Sequence, residues 1–364
     1  MTKDPGRDKG GEPAELRKLV DQLAEGLLAL TEDGRISRIN AAAKKILGLD
    51  DVELLSPLAS VVRDSALLQL LEASTVRKKV RAEVRHNERE LQVRTRRSKG
   101  GGSVVLLTDV TEIRRLEAVR TDFVANASHE LKTPLTVIRA AAETVLDGDI
   151  PEDLRNQFLR SIHGNAVRLQ RLVEDLLDLS RFESGAWEPV HTLLDVPMIA
   201  AAVWRDMGIP ARVKPVRFVV EGEGQGIGDE AALYQILQNL LGNAVRYVPD
   251  EDGQIRVGVV RRDGFIEVAV ADNGAGIPEE ALSRVFERFY RVDGARSRQE
   301  GGTGLGLAIV RHLVTTMGGN VWAESTEGAG TTIRFTLPAG EVPVHESEGT
   351  PAQVSETSGA APSP

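Results

Sequence analysis

The sequence predicts a multidomain α+β protein: an N-terminal α/β module, an antiparallel two-helix hairpin, and a C-terminal α/β sandwich. Three observations carry this reading. A length of 364 residues is room for two or three domains. Apolar residues step by three and four from 111 to 184, whereas the stretch before them contains runs that alternate with period two. After residue 216, strand-like and helix-like runs alternate, as in a layered α/β arrangement.

Composition narrows the class. Apolar residues make up 41% and charged residues 27%, the balance of a globular protein rather than a disordered one. A net charge of −9 leaves no basic footprint for nucleic acid. With no cysteine, disulfides, thiolate zinc sites and iron–sulfur clusters are excluded, which fits a reducing compartment. Apolar runs such as Val104-Val-Leu-Leu107 fall far below the ~20 residues of a membrane helix. The polar, charged N-terminus is neither a signal peptide nor an anchor, so the expected location is cytoplasmic, with no membrane segment.

Taken in order, residues 1–13 are rich in Gly, Pro and charge and are expected to be disordered. Residues 14–110 form the first module. A short amphipathic helix is expected over 16–28, then a hairpin through the Glu32-Asp-Gly34 turn, then a helix capped by Asn40. Alternation at 80–84, 91–95 and 103–108, around the Lys99-Gly-Gly-Gly102 turn, predicts an antiparallel sheet. The basic run 77–81 reads as a solvated strand face.

Residues 111–184 hold two long helices, broken at Asp147-Gly-Asp-Ile-Pro151. One carries Leu116, Val119, Phe123, Leu131, Leu135 and Ile138; the other carries Leu154, Phe158, Ile162, Leu169, Leu172, Leu176 and Leu179. A lone hairpin cannot bury both stripes, and pairing two copies into a dimeric four-helix bundle solves that. Residues 185–340 form the third region. It is irregular over 186–215 except for a helix near 197–207, then has strands over 217–220, 254–260, 265–272 and 331–337 and helices over 230–245, 279–286 and 306–317. The last segment, 341–364, has four glutamates, no Lys or Arg, and many Ser, Thr, Pro and Ala, and is expected to be a flexible acidic tail.

The chemistry concentrates in five segments. In Phe123-Val-Ala-Asn-Ala-Ser-His-Glu-Leu-Lys-Thr-Pro-Leu135, His129 stands beside Glu130, with Thr133 one turn on and Pro134 after it. Neutral imidazole is a nucleophile that titrates near neutral pH, and a neighbouring carboxylate can orient it and take its proton. Gln238–Tyr247 places Asn239, Asn243, Arg246 and Tyr247 on one helix face. That face offers amide oxygens for Mg²⁺, a guanidinium for phosphate and a ring for a nucleoside. Asp272-Asn-Gly-Ala-Gly276 ends a strand with a carboxylate able to accept from an exocyclic amine and with glycines (Gly274, Gly276) that let backbone approach a ligand. Phe286–Asp293 is aromatic and basic. Gly301-Gly-Thr-Gly-Leu-Gly306, containing Gly302, Thr303, Gly304, Leu305 and Gly306, precedes an apolar helix and can present N–H groups to phosphates. It lacks the Lys-Ser/Thr of a P-loop and has no Rossmann context. Four other histidines, His86, His163, His191 and His312, read as structural or solvent-facing, and Trp187, Trp204 and Trp322 as core or interface.

These segments, in this order, resemble the H, N, G1, F and G2 boxes of two-component sensor histidine kinases over residues 111–338. The Glu25–Ala43 stretch and Val104–Glu112 resemble the opening and exit of a PAS domain, and the segment around His129 is similar to the phosphate-regulon sensor subclass. The resemblance implies a PAS-like domain over 14–110, a dimerisation and histidine phosphotransfer domain over 111–184, and a Bergerat-type ATP-binding domain over 185–340. It implies His129 as phosphoacceptor, Glu130 as its base, and Thr133 as the residue orienting water to dephosphorylate the partner. Asn243 would hold Mg²⁺ with Asn239 as a second candidate ligand, Asp272 would anchor adenine, and the glycines of 302–306 would form the hinge and phosphate loop. With ATP and Mg²⁺ bound, the homodimer would phosphorylate His129 and pass the phosphoryl group to an aspartate on the receiver domain of a separate response regulator. Two other readings stand beside it: a degenerate, non-catalytic signalling scaffold, and an ATP-hydrolysing machine of the gyrase, Hsp90 and MutL type. Those ATPases carry a water-activating glutamate four residues before the Mg²⁺-binding asparagine, where this chain has Asn239.

Overall fold

The computed structural model describes residues 14–49, 52–76, 79–98, 101–148, 150–185, 187–208, 215–292 and 302–340. The expected disordered N-terminus and acidic tail, and residues 293–301, lie outside the described residues. The chain divides into two compact units, Met1–Ala125 and Asn126–Pro364.

The first unit begins with α1 (Ala14–Asp21), β1 (Gly26–Leu30), β2 (Ile36–Ile39) and α2 (Ala41–Leu47). It continues through α3 (Leu58–Val61), α4 (Ser65–Val76), β3 (Lys79–His86), β4 (Arg89–Arg97) and β5 (Ser103–Asp109). The five strands form an antiparallel sheet in the order β2-β1-β5-β4-β3. Alternation does what the sequence predicts: Leu91 and Val93 on β4 and Val105 and Leu107 on β5 are fully buried against Leu28, Ala43, Leu67 and Leu71. Asn40 caps α2 and ties three segments together. Its Oδ1 accepts from Ala43 N at 2.9 Å and Leu27 N at 2.8 Å, and its Nδ2 donates to the Val20 and Glu25 carbonyls at 3.0 Å. The helix expected over 16–28 stops at Asp21, because the sheet claims the rest of that run. Leu28 pairs with both Ile39 and Val105, and a Cβ on Gly26 would lie 2.9 Å from Ala43 Cα.

Two long helices follow, α5 (Thr111–Leu146) and α6 (Glu152–Glu183). Acidic residues in the first turn of α6, Glu152 and Asp153, and Arg181 in its last turn complement the helix dipole. Many apolar side chains of the pair stay exposed, among them Leu116, Val124, Leu135, Leu154, Leu159 and Leu177.

The rest of the second unit comprises β6 (Thr192–Asp195), α7 (Val196–Asp206), β7 (Val216–Gly222), β8 (Gln225–Gly228) and α8 (Glu230–Tyr247), then β9 (Gly253–Arg262), β10 (Phe265–Asp272), α9 (Glu279–Leu282), α10 (Gly306–Thr316), β11 (Val321–Thr326) and β12 (Gly330–Pro338). A five-stranded sheet in the order β11-β12-β10-β9-β7 is antiparallel except for the β7–β9 pair. The helix α8 packs on α7, α10, β9 and β10. Leu233, Ile236, Leu237, Leu240 and Leu241 recur at helical spacing and are buried with Val257, Val268, Ile309, Leu313 and Phe335. Trp204 stacks on Phe218 with ring centroids 4.2 Å apart. The strands β6, β8 and β11 are additions to the sequence reading, and the helix expected over 279–286 is a single turn. Further on, Phe289 adopts φ +61° and donates its N–H to the Gly304 carbonyl at 2.8 Å.

Candidate functional site

The second unit contains a cavity of about 940 Å³ walled by α8, β10, α6 and the segments 290–292 and 302–306. It collects the predicted binding residues Asn239, Asn243, Arg246, Tyr247, Asp272, Gly276, Gly302, Thr303, Gly304 and Gly306. Two predicted residues stand behind its wall. Leu305 is fully buried in the core, and Gly274 sits where a Cβ would lie 2.7 Å from the Tyr247 carbonyl oxygen.

Each wall has a local cause. The α8 helix starts at Asp229, whose side chain accepts from Ala232 N, and its next turns put Asn239 and Asn243 on the cavity side. Asn243 Oδ1 accepts from Arg246 Nη1 at 3.1 Å. Asn239 Oδ1 would lie 3.0 Å from a Cβ at Gly306, so glycine lets the N-terminus of α10 approach it. At Gly276 φ is +76°, and a Cβ would overlap the Thr326 carbonyl oxygen. Asp272 accepts from Gly274 N at 2.8 Å and Thr331 N at 3.3 Å, both at Oδ1. Burial raises the pKa of its carboxyl, with those two backbone donors working against the shift. Oδ2 carries neither of these bonds, so a carboxylate oxygen is available to a ligand amine.

The predicted phosphoacceptor residues lie on α5, outside the cavity lining. His129 is exposed. The Thr133 hydroxyl donates to the His129 carbonyl at 3.2 Å. Pro134 is buried within the helix, which runs through it.

Glu130 joins the two regions. Its Oε2 accepts from Arg168 of α6 at 2.9 Å and lies 3.8 Å from Nη1 of Arg291, which lines the cavity. Burial lowers the Arg291 pKa, while the Glu130 charge pulls it back up. Further along α6, Asp175 accepts from the Thr303 hydroxyl at 2.6 Å and Asp178 from Gln235 at 2.7 Å. Glu183 pairs with Arg288, and the Phe182 ring stacks on His312 at 6.0 Å. The sequence pattern marks none of Arg168, Asp175 or Asp178, and Arg291 only as part of the basic segment Phe286–Asp293. A signal existed on α6: 168, 175 and 178 share one helix face. Of the other histidines, His86 is buried and its Nδ1 lies 3.3 Å from Asp64 Oδ2.

Three family models match consecutive parts of the chain: the PAS fold over residues 14–124, the His Kinase A (phospho-acceptor) domain over 119–185, and the histidine kinase-, DNA gyrase B-, and HSP90-like ATPase over 228–341. The sensor histidine kinase WalK of Bacillus subtilis is 32% identical over 348 residues, covering 90% of this chain and 56% of the relative. The phosphate regulon sensor protein PhoR of Pseudomonas aeruginosa is 33% identical over 347 residues, covering 92% of this chain and 77% of the relative. The chain thus spans little more than half of WalK and about three quarters of PhoR. Among solved structures, the histidine kinase ThkA in complex with the response regulator protein TrrA has a TM-score of 0.51 at 22% identity, over 89% of this chain and 98% of that chain, a likeness of fold. No helix among the described residues is long and apolar enough to cross a membrane. A third of all positions shared with a phosphate-regulon sensor along nearly the whole chain, and three family models in the order found here, make this chain a member of the PAS-containing two-component sensor histidine kinases.

Proposed function

We propose that this protein binds Mg·ATP in the α8–β10 cavity, phosphorylates itself on His129, and passes the phosphoryl group to an aspartate on the receiver domain of a separate response regulator. The observation that carries the reading is the position of Arg291, which lines the cavity and lies 3.8 Å from Glu130, the neighbour of His129. Nucleotide pocket and acceptor helix therefore meet at one ion pair.

In the transfer, a ring nitrogen of His129 attacks the γ-phosphorus and the bond to the β,γ-bridging oxygen breaks. ADP leaves with that electron pair, and the proton on the other ring nitrogen passes to the Glu130 carboxylate. Asp272 Oδ2 accepts from the adenine amine, Tyr247 faces the nucleoside, Arg246 neutralises phosphate, and the backbone from Gly302 to Gly306 wraps the phosphates. The amide oxygens of Asn243 and Asn239 are hard donors that fit Mg²⁺ alongside phosphate oxygens, and the ion bound there would screen the phosphate charge. Asn239 is no base, which supports delivery of phosphate to His129 over hydrolysis by water. Thr133 orients water for dephosphorylating the regulator.

The exposed apolar side chains of α5 and α6 support a homodimer built through the hairpin. In this arrangement residues 14–110 serve as PAS-like input, 111–184 as dimerisation and phosphotransfer domain, and 185–340 as ATP-binding domain, in a cytoplasmic setting. Incubation with γ-labelled ATP tests the proposal. Acid-labile label on the wild type that is lost in both His129→Ala and Asn243→Ala supports the kinase. An unlabelled wild type, with or without a receiver domain, points to a signalling scaffold, and phosphate release that survives His129→Ala points to an ATPase.

A further inference from the structure

We propose that Arg168 is a positioning residue for phosphoryl transfer: from α6 it holds the Glu130 carboxylate by one oxygen and links it, through Arg291, to the nucleotide pocket. The proposal rests on the kinase reading above and adds to it a residue outside the nucleotide pocket and outside the acceptor segment.

Burial is the first argument. The side chains of Glu130, Arg168 and Arg291 are only 17%, 13% and 10% exposed. A glutamate on a helix surface needs no partner, whereas a desolvated carboxylate requires one. Replacing a buried ion pair with apolar side chains is often neutral or stabilising, so stability alone is a weak reason for one here. A requirement to keep a charged carboxylate next to His129 accounts for it better.

Geometry is the second argument. Arg168 and Arg291 both approach Oε2, at 2.9 and 3.8 Å. Neither of these contacts uses Oε1, so one carboxylate oxygen stays open to a proton donor. A guanidinium fixes a carboxylate in direction as well as in place, which lysine does less well.

Charge is the third argument. Arg168 and Arg246 both disfavour the charge on Arg291, and Glu130 favours it. An arriving γ-phosphate would favour it further. As Arg291 turns to the phosphate, Arg168 keeps its hold on Glu130, so the base is retained while the second guanidinium changes partner.

The experiment is a double-mutant cycle on the full-length protein. Initial rates of acid-labile His129 phosphorylation are measured over a range of ATP concentrations for wild type, Arg168→Ala, Arg168→Lys, Glu130→Gln and Arg168→Ala/Glu130→Gln, with nucleotide affinity measured separately. Arg168→Ala is expected to lower the maximal rate about tenfold or more with an unchanged KM for ATP, and Arg168→Lys to recover part of it. In the Glu130→Gln background the same substitution is expected to have little further effect, because its partner is already gone. Equal losses in both backgrounds would make Arg168 merely structural and overturn the proposal, as would a wild-type or faster rate for Arg168→Ala. A wild type that never labels fails the kinase reading itself, an outcome separate from these.

Discussion

The Thr303 hydroxyl donates to Asp175 Oδ2 at 2.6 Å, tying the glycine-rich segment to a helix 128 residues earlier in the chain. Burial is the main cause of the raised pKa of Asp175; Thr303 opposes it, and the charges of Asp178 and Glu174 add to it. A raised folded-state pKa means that the folded protein binds this proton more tightly than the unfolded chain. Its contribution to stability is therefore fully present below the unfolded pKa and lost as pH rises through the folded one. Asp175→Asn should accordingly raise the unfolding midpoint relative to wild type at about pH 7.5, and the gap should close towards about pH 4. Paired thermal or urea melts across that range provide the check, and a gap that widens on acidification contradicts it.

Asp272→Asn tests the proposed role of Asp272 as the adenine anchor. Asparagine keeps one oxygen for the Gly274 and Thr331 amides but sets an amino group where the ligand amine would donate. We expect ATP affinity to fall about tenfold or more, with the fold intact, in titrations with a fluorescent nucleotide.

Two glycines of the cavity should fail in different ways. Gly276→Ala meets both a φ of +76° and the Thr326 carbonyl, so it should destabilise the ATP-binding region by about 1–3 kcal/mol. Gly306 has ordinary φ, and the nearest atoms to a Cβ there belong to the Asn239 side chain, Oδ1 at 3.0 Å. Gly306→Ala should therefore weaken nucleotide binding while leaving the melting transition nearly unchanged.

In the first unit, Asn40→Ala removes a helix cap and leaves two carbonyls and two amides without their shared partner. The expected cost is about 2–4 kcal/mol, visible in urea melts of the protein. Asn40→Asp keeps the two acceptor contacts but turns a charge towards the Val20 and Glu25 carbonyls, so it should be destabilising as well.

What the sequence made legible was local. Asn239, Asn243 and Arg246 share a helix face, and Gly302 to Gly306 are consecutive, so spacing alone groups them. The contacts that α6 makes with the rest of its unit were hidden because they span long separations: 38 residues for Arg168–Glu130, 57 for Asp178–Gln235 and 128 for Asp175–Thr303. On a helix, such charged side chains look like a solvated face until the opposing surface is known. The strands β6 and β8 escaped because each has four residues, and Gln225-Gly-Ile-Gly228 has no alternation of side chains to read. Leu27 fits the helix expected over 16–28, and Leu28 fits both that helix and the hairpin strand after it, because a short apolar run fits either period. Their pairing with β2 and β5 decides the matter.

Pro134 has no N–H to offer the Glu130 carbonyl, so the ladder of α5 lacks a rung at the very residue whose side chain is roped to α6 by Arg168. A rod with a missing rung yields there first when twisted or bent. A bend in the long helix would therefore fall at this joint, and the joint carries the carboxylate next to His129 in sequence. If His129 is the acceptor and Glu130 its base, a small change of angle at this joint would alter their alignment without remodelling the nucleotide pocket.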